Sequence, residues 1–188
     1  MRPAACFASC LLALLLPLVV ALPAHAAEDI VVRSASVKVQ GDVFELKVRS
    51  EFPVDEQLRT ALTSGATVDL DLQVTVERKK RYWLDKQLVE DNLRRELFLN
   101  ALSQRYVLKE IESGQQQTFA TLEEALAAAG IVESWPVKVE PKLDPDATYE
   151  ISVRARLRRG RVPSALRALT FWTRYWNRSE WYTWTLPR

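Results

Sequence analysis

Beyond residue 26 the chain contains no cysteine, no histidine and no methionine. Cys6, Cys10, His25 and Met1 all fall within the first 26 of 188 residues, a segment with the features of a removable secretion signal. Without that segment, disulfides, Cys nucleophiles, His general bases and His/Cys zinc sites are excluded. Glycine is scarce, five in all, and there is no Gly-rich phosphate loop, G-x-S-x-G or Asp-rich calcium loop. No catalytic residue, cofactor-binding residue or metal ligand is therefore assigned, no cofactor is expected, and the expected function is non-enzymatic. Carboxylates are abundant, and a glycosidase needs only two. A carboxylate-based hydrolase using Glu180, Asp85 or Glu51 is thus a remaining alternative, although nothing in the sequence presents a paired, tuned arrangement.

The signal rests on Arg2 as the only charge before Glu28, an apolar run over residues 11–22, and the small residues of Ala24-His25-Ala26. Cleavage is expected before Ala27, giving a signal peptide over 1–26 and a single β-rich domain over 27–188. The competing expectation is an N-terminal anchor in the inner membrane, since residues 4–27 carry no formal charge and approach the ~20 residues of a span; Pro17, Pro23 and the A-x-A site argue against it. Cys10 is a poor lipidation site, because the apolar run follows it. An Ala- and Arg-rich chain with no cysteine after the signal suits the bacterial periplasm, where nucleic acid is not an expected partner.

After residue 26 the formal charge is nearly balanced, but it is unevenly placed. Residues 27–150 hold 16 Lys+Arg against 23 Asp+Glu, while residues 151–188 hold nine Arg against Glu180 alone. Either the basic tail docks on its own acidic body or it meets an acidic partner.

Period-2 alternation dominates the pattern. Val68, Leu70, Leu72, Val74 and Val76 face one way, and Asp69, Asp71, Gln73 and Thr75 face the other, which predicts a half-buried antiparallel strand with its polar side in water. Ala35, Val37 and Val39 and then Phe44, Leu46 and Val48 flank Gln40-Gly41-Asp42 as a hairpin. Tyr149, Ile151, Val153, Ala155 and Leu157 alternate with Glu150, Ser152, Arg154, Arg156 and Arg158. Residues 105–111 form a further strand closed at Ser113-Gly114, and residues 84–100 fit a helix and a strand equally well. Helices are expected after Pro53, with Val54, Leu58, Ala61 and Leu62 as the apolar stripe, and at the capping box Thr121-Leu122-Glu123-Glu124, ending at Gly130. Residues 163–170 predict a third helical turn. The expected fold class is mainly β (α+β): an antiparallel β-sandwich-like single domain with two or three short helices.

Ala101-Leu102-Ser103-Gln104-Arg105-Tyr106, Arg81-Tyr82-Trp83, the capped helix at Thr121 and Ser179-Glu180-Trp181-Tyr182-Thr183-Trp184 occur in an order that resembles the proteobacterial envelope family called domain of unknown function 4390. The resemblance spans essentially all of 27–188. It implies a secreted, single-domain protein whose relatives are often encoded beside a membrane sensor histidine kinase of the nitrogen-regulation type. It carries over no activity, cofactor or catalytic residue.

The tail concentrates the candidate interaction surface: Arg154, Arg156, Arg158, Trp172, Arg174, Trp176, Arg178 and Trp181. Seven aromatics fall within the fourteen residues 171–184, and flat rings interleaved with guanidiniums make a stacking surface. Alternatively the last strand closes the core, with Tyr182, Trp184 and Leu186 inward and arginine tips outward. The three β-strand arginines, ~7 Å apart along one face, would either contact an anionic ligand or form a cross-strand ladder with Asp69, Asp71 and Glu77. The run Glu77-Arg78-Lys79-Lys80-Arg81-Tyr82-Trp83 reads as a solvated strand end or a membrane-surface anchor. The expected function is a periplasmic binding or accessory domain, with an inner-membrane protein such as a sensor histidine kinase as partner. The alternative is binding to anionic cell-wall polymer or lipid.

Overall fold

A computed structural model describes residues 29–79, 86–140, 143–144, 146–163 and 176–186. The expected signal segment, the later part of the basic run at 77–83, and the expected helical turn beyond Pro163 lie outside the described residues.

The strands are β1 (Val31–Gln40), β2 (Val43–Glu51), β3 (Val68–Lys79), β4 (Lys86–Asn100), β5 (Arg105–Glu110), β6 (Gln116–Phe119), β7 (Ile131–Lys138), β8 (Thr148–Arg159), β9 (Trp176–Arg178) and β10 (Tyr182–Thr185). The helices are α1 (Glu56–Thr63) and α2 (Leu122–Ala129). A three-stranded antiparallel sheet, β1-β2-β7, faces a seven-stranded antiparallel one ordered β10-β8-β3-β4-β5-β6, with β9 also paired to β8. This is the mainly β, sandwich-like architecture expected from the alternation.

The shared core comes from the inward half of each alternating strand. Phe44, Leu46 and Val48 of β2 meet Leu70, Leu72, Val74 and Val76 of β3 and Ile151, Val153, Ala155 and Leu157 of β8, all essentially buried. Gly41 turns the β1–β2 hairpin at φ +66°, a left-handed conformation that costs glycine little. Helix α1 starts at Asp55, whose side chain accepts from the amides of Gln57 and Leu58. It buries Leu58, Ala61 and Leu62, whereas Val54, expected in the same stripe, precedes the helix and is exposed. Helix α2 forms the expected capping box, Thr121 accepting from the Glu124 amide while the Glu124 carboxylate receives the Thr121 amide.

Residues 84–100 resolve as strand from Lys86 onward. Their pattern is ambiguous because two inward positions of β4 are charged, and each has a specific partner. Asp91 accepts from the Trp135 indole at 3.2 Å, linking the two sheets. Arg95 reaches the end of α2, donating to the carbonyls of Ala129 at 2.8 Å and Ile131 at 3.2 Å. It supplies the cation that the C-terminal half-dipole favours, which the helix's own last turn lacks. Burial pulls the Arg95 guanidinium below its ordinary range, with Glu110 opposing the shift.

Gly130 closes α2 where the chain enters β7. Its carbonyl accepts from the Ser50 amide at 2.8 Å, and a Cβ there would stand 2.0 Å from the Ser50 carbonyl oxygen. The strand cannot shift away without breaking its pairing to β2. Gly130→Ala is therefore expected to destabilise the fold by about 2–3 kcal/mol, whereas Gly114→Ala, at an open turn with φ +71° and no neighbour within 4 Å, should cost about 1 kcal/mol. Urea unfolding of both variants checks the difference.

Candidate functional site

The outward half of the same alternation builds the candidate site. Strand β3 lies between β8 and β4, so each outward residue of β3 has a partner on either side. Asp69 faces Arg158 and Glu96; Asp71 faces Arg156 and Arg94; Gln73 faces Arg154 and Asn92. The expected ladder is present at two of its three acids. Glu77 departs from it, standing opposite Glu150, with Lys79 bridging the two carboxylates at 3.8 and 2.8 Å.

The polar side of β3 was expected in water, and the structure corrects this: Asp71 is 0% exposed and Gln73 is 5% exposed. The reason is the length of the neighbouring side chains. Arginines on β8 are long enough to lie across the narrow strand beside them, covering it with their alkyl stems. Arg158 Nη2 stands 2.5 Å from Asp71 Oδ2, and Arg156 Nη2 stands 3.7 Å from the same oxygen. Arg156 Nη2 also donates to Asn92 Oδ1 at 2.7 Å, and Arg154 Nε donates to Gln73 Oε1 at 2.7 Å. The amide of Gln73 continues the network to Glu90. Asp71 Oδ1 and the Nε atoms of Arg156 and Arg158 are buried and have no hydrogen-bond partner among the described residues.

These surroundings set the charge states. Burial raises the Asp71 carboxyl above the ordinary 3.8, against the pull of Arg158, Arg156 and Arg94. Burial also raises Asp69, reinforced by Asp71. Arg154 is lowered, by burial first and then by the like charges of Arg156 and Arg178.

The tail adds an edge to this face. Strand β9 pairs Arg178 with Arg156 and Asn177 with Leu157, and β10 pairs Tyr182 with Val153 and Thr183 with Ser152. Counting along both registers shows one extra residue between them, a β-bulge beginning at Ser179. The bulge is pinned to both backbone groups of one residue: the Ser179 amide donates to the Ala155 carbonyl and the Ala155 amide donates to Ser179 Oγ, at 2.8 and 3.0 Å. It turns Trp181 onto the arginine side, where the guanidinium of Arg154 lies 4.3 Å from the ring centroid. Trp181 stays 40% exposed.

Of the sequence-predicted surface, Arg154, Arg156, Arg158, Arg178 and Trp181 are thus brought together. Trp172 and Arg174 lie outside the described residues, as does Asp85, and Trp176 is described only as the start of β9. Trp184 and Leu186 pack against the core as the core-closing alternative required, whereas Tyr182 is 36% exposed. Glu51 is held by Arg33 at 2.6 Å, and that contact keeps its carboxyl below the ordinary range. Glu180 is exposed beside the bulge. Nothing in the residue pattern assigns Asn92 to this network; only a β3–β4 register, which period-2 reading of an ambiguous segment does not supply, identifies it.

Arg154, Arg156, Arg158 and Arg178, with Leu157 and Asn177, line a surface recess of about 470 Å3. A second recess of about 390 Å3 lies on the other side of the bulge, against Ile30, Val31, Val32, Trp181 and Tyr182. Among the described residues no group of His, Cys, Asp and Glu could hold a metal ion, and no helix is long and apolar enough to cross a membrane.

The model of the family described as Domain of unknown function (DUF4390) matches residues 27–185. The chain belongs to this family. No curated protein and no solved structure matches it. For this DUF4390 chain, the residues of the tail block Ser179-Glu180-Trp181-Tyr182-Thr183-Trp184 are those that form the bulge and β10.

The Asp71 site has a pH signature whose sign follows from its raised carboxyl. The folded chain retains this proton in a window above 3.8 in which the unfolded chain has lost it. The contribution to stability is therefore greatest below that value and declines as pH rises through the folded pKa. Asp71→Asn keeps an acceptor and removes the charge, so it should remove this component of the slope, which lies above pH 3.8. Asp71→Ala leaves both guanidiniums without their carboxylate and opens a void, and should cost about 2–4 kcal/mol. Urea titrations at several pH values check both.

Proposed function

We propose that this protein is a non-enzymatic, periplasmic binding or accessory domain that presents the β8–β9 arginine face and Trp181 to an acidic surface of an inner-membrane protein. One observation carries this: Arg178 makes no ion pair among the described residues, although the chain body has acids in excess, and on the same face Arg154, bonded to the neutral Gln73, lies against an exposed Trp181 ring. Guanidinium beside aromatic is the combination that anchors protein interfaces most often, and unpaired cations steer an acidic partner toward it. The extracytoplasmic segment of a sensor histidine kinase is the partner class that the family's resemblance implies. A photoreactive residue replacing Trp181 in intact cells should capture one inner-membrane protein, identified by mass spectrometry, and Arg178→Glu should reduce capture at least about tenfold. Capture unaffected by Arg178→Glu, or no capture of a membrane protein, overturns the reading.

The same excess of cations supports a second reading, adhesion to anionic cell-wall polymer or lipid. Co-sedimentation of the purified protein with sacculi and with anionic vesicles separates the two. Salt-sensitive binding to either, together with failed capture, favours this one.

A further inference from the structure

The recess lined by Arg154, Arg156, Arg158 and Arg178 has the charge and donors of a small-anion site, more specific than a general cationic surface. Four guanidiniums converge there from β8 and β9. The carboxylates facing them are Asp71 and Asp69 from β3, together with Glu90 from β4, which acts on Arg154. On β4, Glu96 is shared with Arg161 at 3.8 Å, and Arg94 is occupied by Glu112 at 2.9 Å. Four positive charges against these three negative ones leave the recess net positive, a field that favours an oxyanion.

The donors are also accounted for. Each guanidinium carries five N–H groups in a planar fork suited to tetrahedral oxyanions. The contacts within the fold use Nη2 of Arg156 and Arg158 and Nε of Arg154. Arg178 is exposed and makes no ion pair or side-chain hydrogen bond among the described residues. The side chains of Arg156 and Arg158 are held from beneath yet remain 22% and 36% exposed. Preorganised in this way, they lose little conformational freedom when an anion binds.

We propose that this recess binds a phosphate-type dianion through Arg156, Arg158 and Arg178, with Asp71 as the carboxylate the anion competes against. The ligand's source is either a free oxyanion or the phosphate of a lipid headgroup. The proposal rests on the reading of this face as a binding surface and deepens it by naming the ligand chemistry.

The competition makes binding pH-dependent. Asp71 is faced by Asp69 on its own strand, by Arg94 and Glu96 from β4 and by Arg156 and Arg158 from β8, with Arg154 and Arg178 flanking. An anion over Arg156 and Arg158 withdraws their support from the Asp71 carboxylate, which favours its protonated form. Binding then takes up a proton, and by linkage affinity rises as pH falls.

The test uses purified protein covering residues 27–188 and needs no partner, so its failure is separate from failure of cell-based capture. Inorganic sulfate, which keeps its double charge across the range, is titrated by calorimetry at low ionic strength from about pH 8 to about pH 5. Saturable binding is expected, tightening at least about threefold toward the acid end. Arg178→Gln, an exposed position that leaves the fold intact, should weaken it about tenfold. Asp71→Asn should strengthen it and abolish the pH dependence. In a parallel arm, retention on phosphatidylglycerol vesicles but not phosphatidylcholine vesicles, lost in Arg178→Gln, assigns the site to a headgroup; sulfate binding without vesicle retention assigns it to a free anion. Neither response, or sulfate binding that Arg178→Gln leaves unchanged, overturns the proposal.

Discussion

The carboxylate of Asp71 sits on the central strand of the larger sheet with none of its surface in water. An ion in that position is tolerable only if cations reach it, because desolvation alone costs several kcal/mol. Strand β8 supplies them, and it can do so in only one register. A slip of one residue would turn Arg156 and Arg158 into the sandwich core and bring Ala155 and Leu157 out over the carboxylate. The ion pair therefore reinforces the register that the apolar alternation sets on the opposite face. A buried ion pair of this kind is weak evidence for stability by itself; what it adds is a penalty on the alternative registers.

This constraint accounts for the charge split along the chain. The acidic residues of β3 precede the basic strand β8 by some eighty positions, and the sheet order makes them neighbours. Of the two explanations of the split, docking of the tail on the body is the one seen at Asp71. Arg156 and Arg158 are committed to the body, and what the ladder leaves over is carried by Arg154 and Arg178, at the margin of the same face.

Much of this fold is legible in the residues themselves. The β1–β2 hairpin, β8 and the capping box of α2 announce themselves because each depends on local chemistry: a turn glycine, period-2 burial, and a reciprocal side-chain–amide pair. The burial of Asp71 is not legible, since alternation identifies which residues face away from the core without saying what lies over them. The same gap hides Arg95 and Asp91. Both occupy inward positions of β4, where a charge contradicts the pattern, and both are explained by partners distant in sequence, the α2 carbonyls and the Trp135 indole. Strand β7, central to the arrangement of α2, lacks clean alternation because one extra residue between Val132 and Trp135 shifts its register on β2, just before Pro136. Proline is accommodated there because β7 is the outer strand of its sheet and needs no donor on its free side.

The bulge at Ser179 bears on the make-up of the exposed face as well as on topology. An uninterrupted strand along β8 would extend the pairing from Arg158 to Glu150 and place every second tail residue on the arginine face in strict alternation. The inserted residue resets that alternation, so Arg178 and Trp181, three apart in sequence, both join the arginines of β8. It also breaks the flat edge that would otherwise recruit another strand. Ser179 holds this irregularity with its hydroxyl and amide on a single residue, Ala155, using buried hydrogen bonds that an apolar side chain could not replace. The hydroxyl at that position thus links the end of the sheet to the composition of the exposed face. In a surface assembled this way Arg154, Arg156 and Arg158 are held from below by Gln73, Asn92 and Asp71, the aromatic ring is set by a bulge, and Arg178 stands exposed at the margin. On the binding role proposed above, recognition by such a face would rest on charge complementarity, with little ordering left to do at the three arginines of β8.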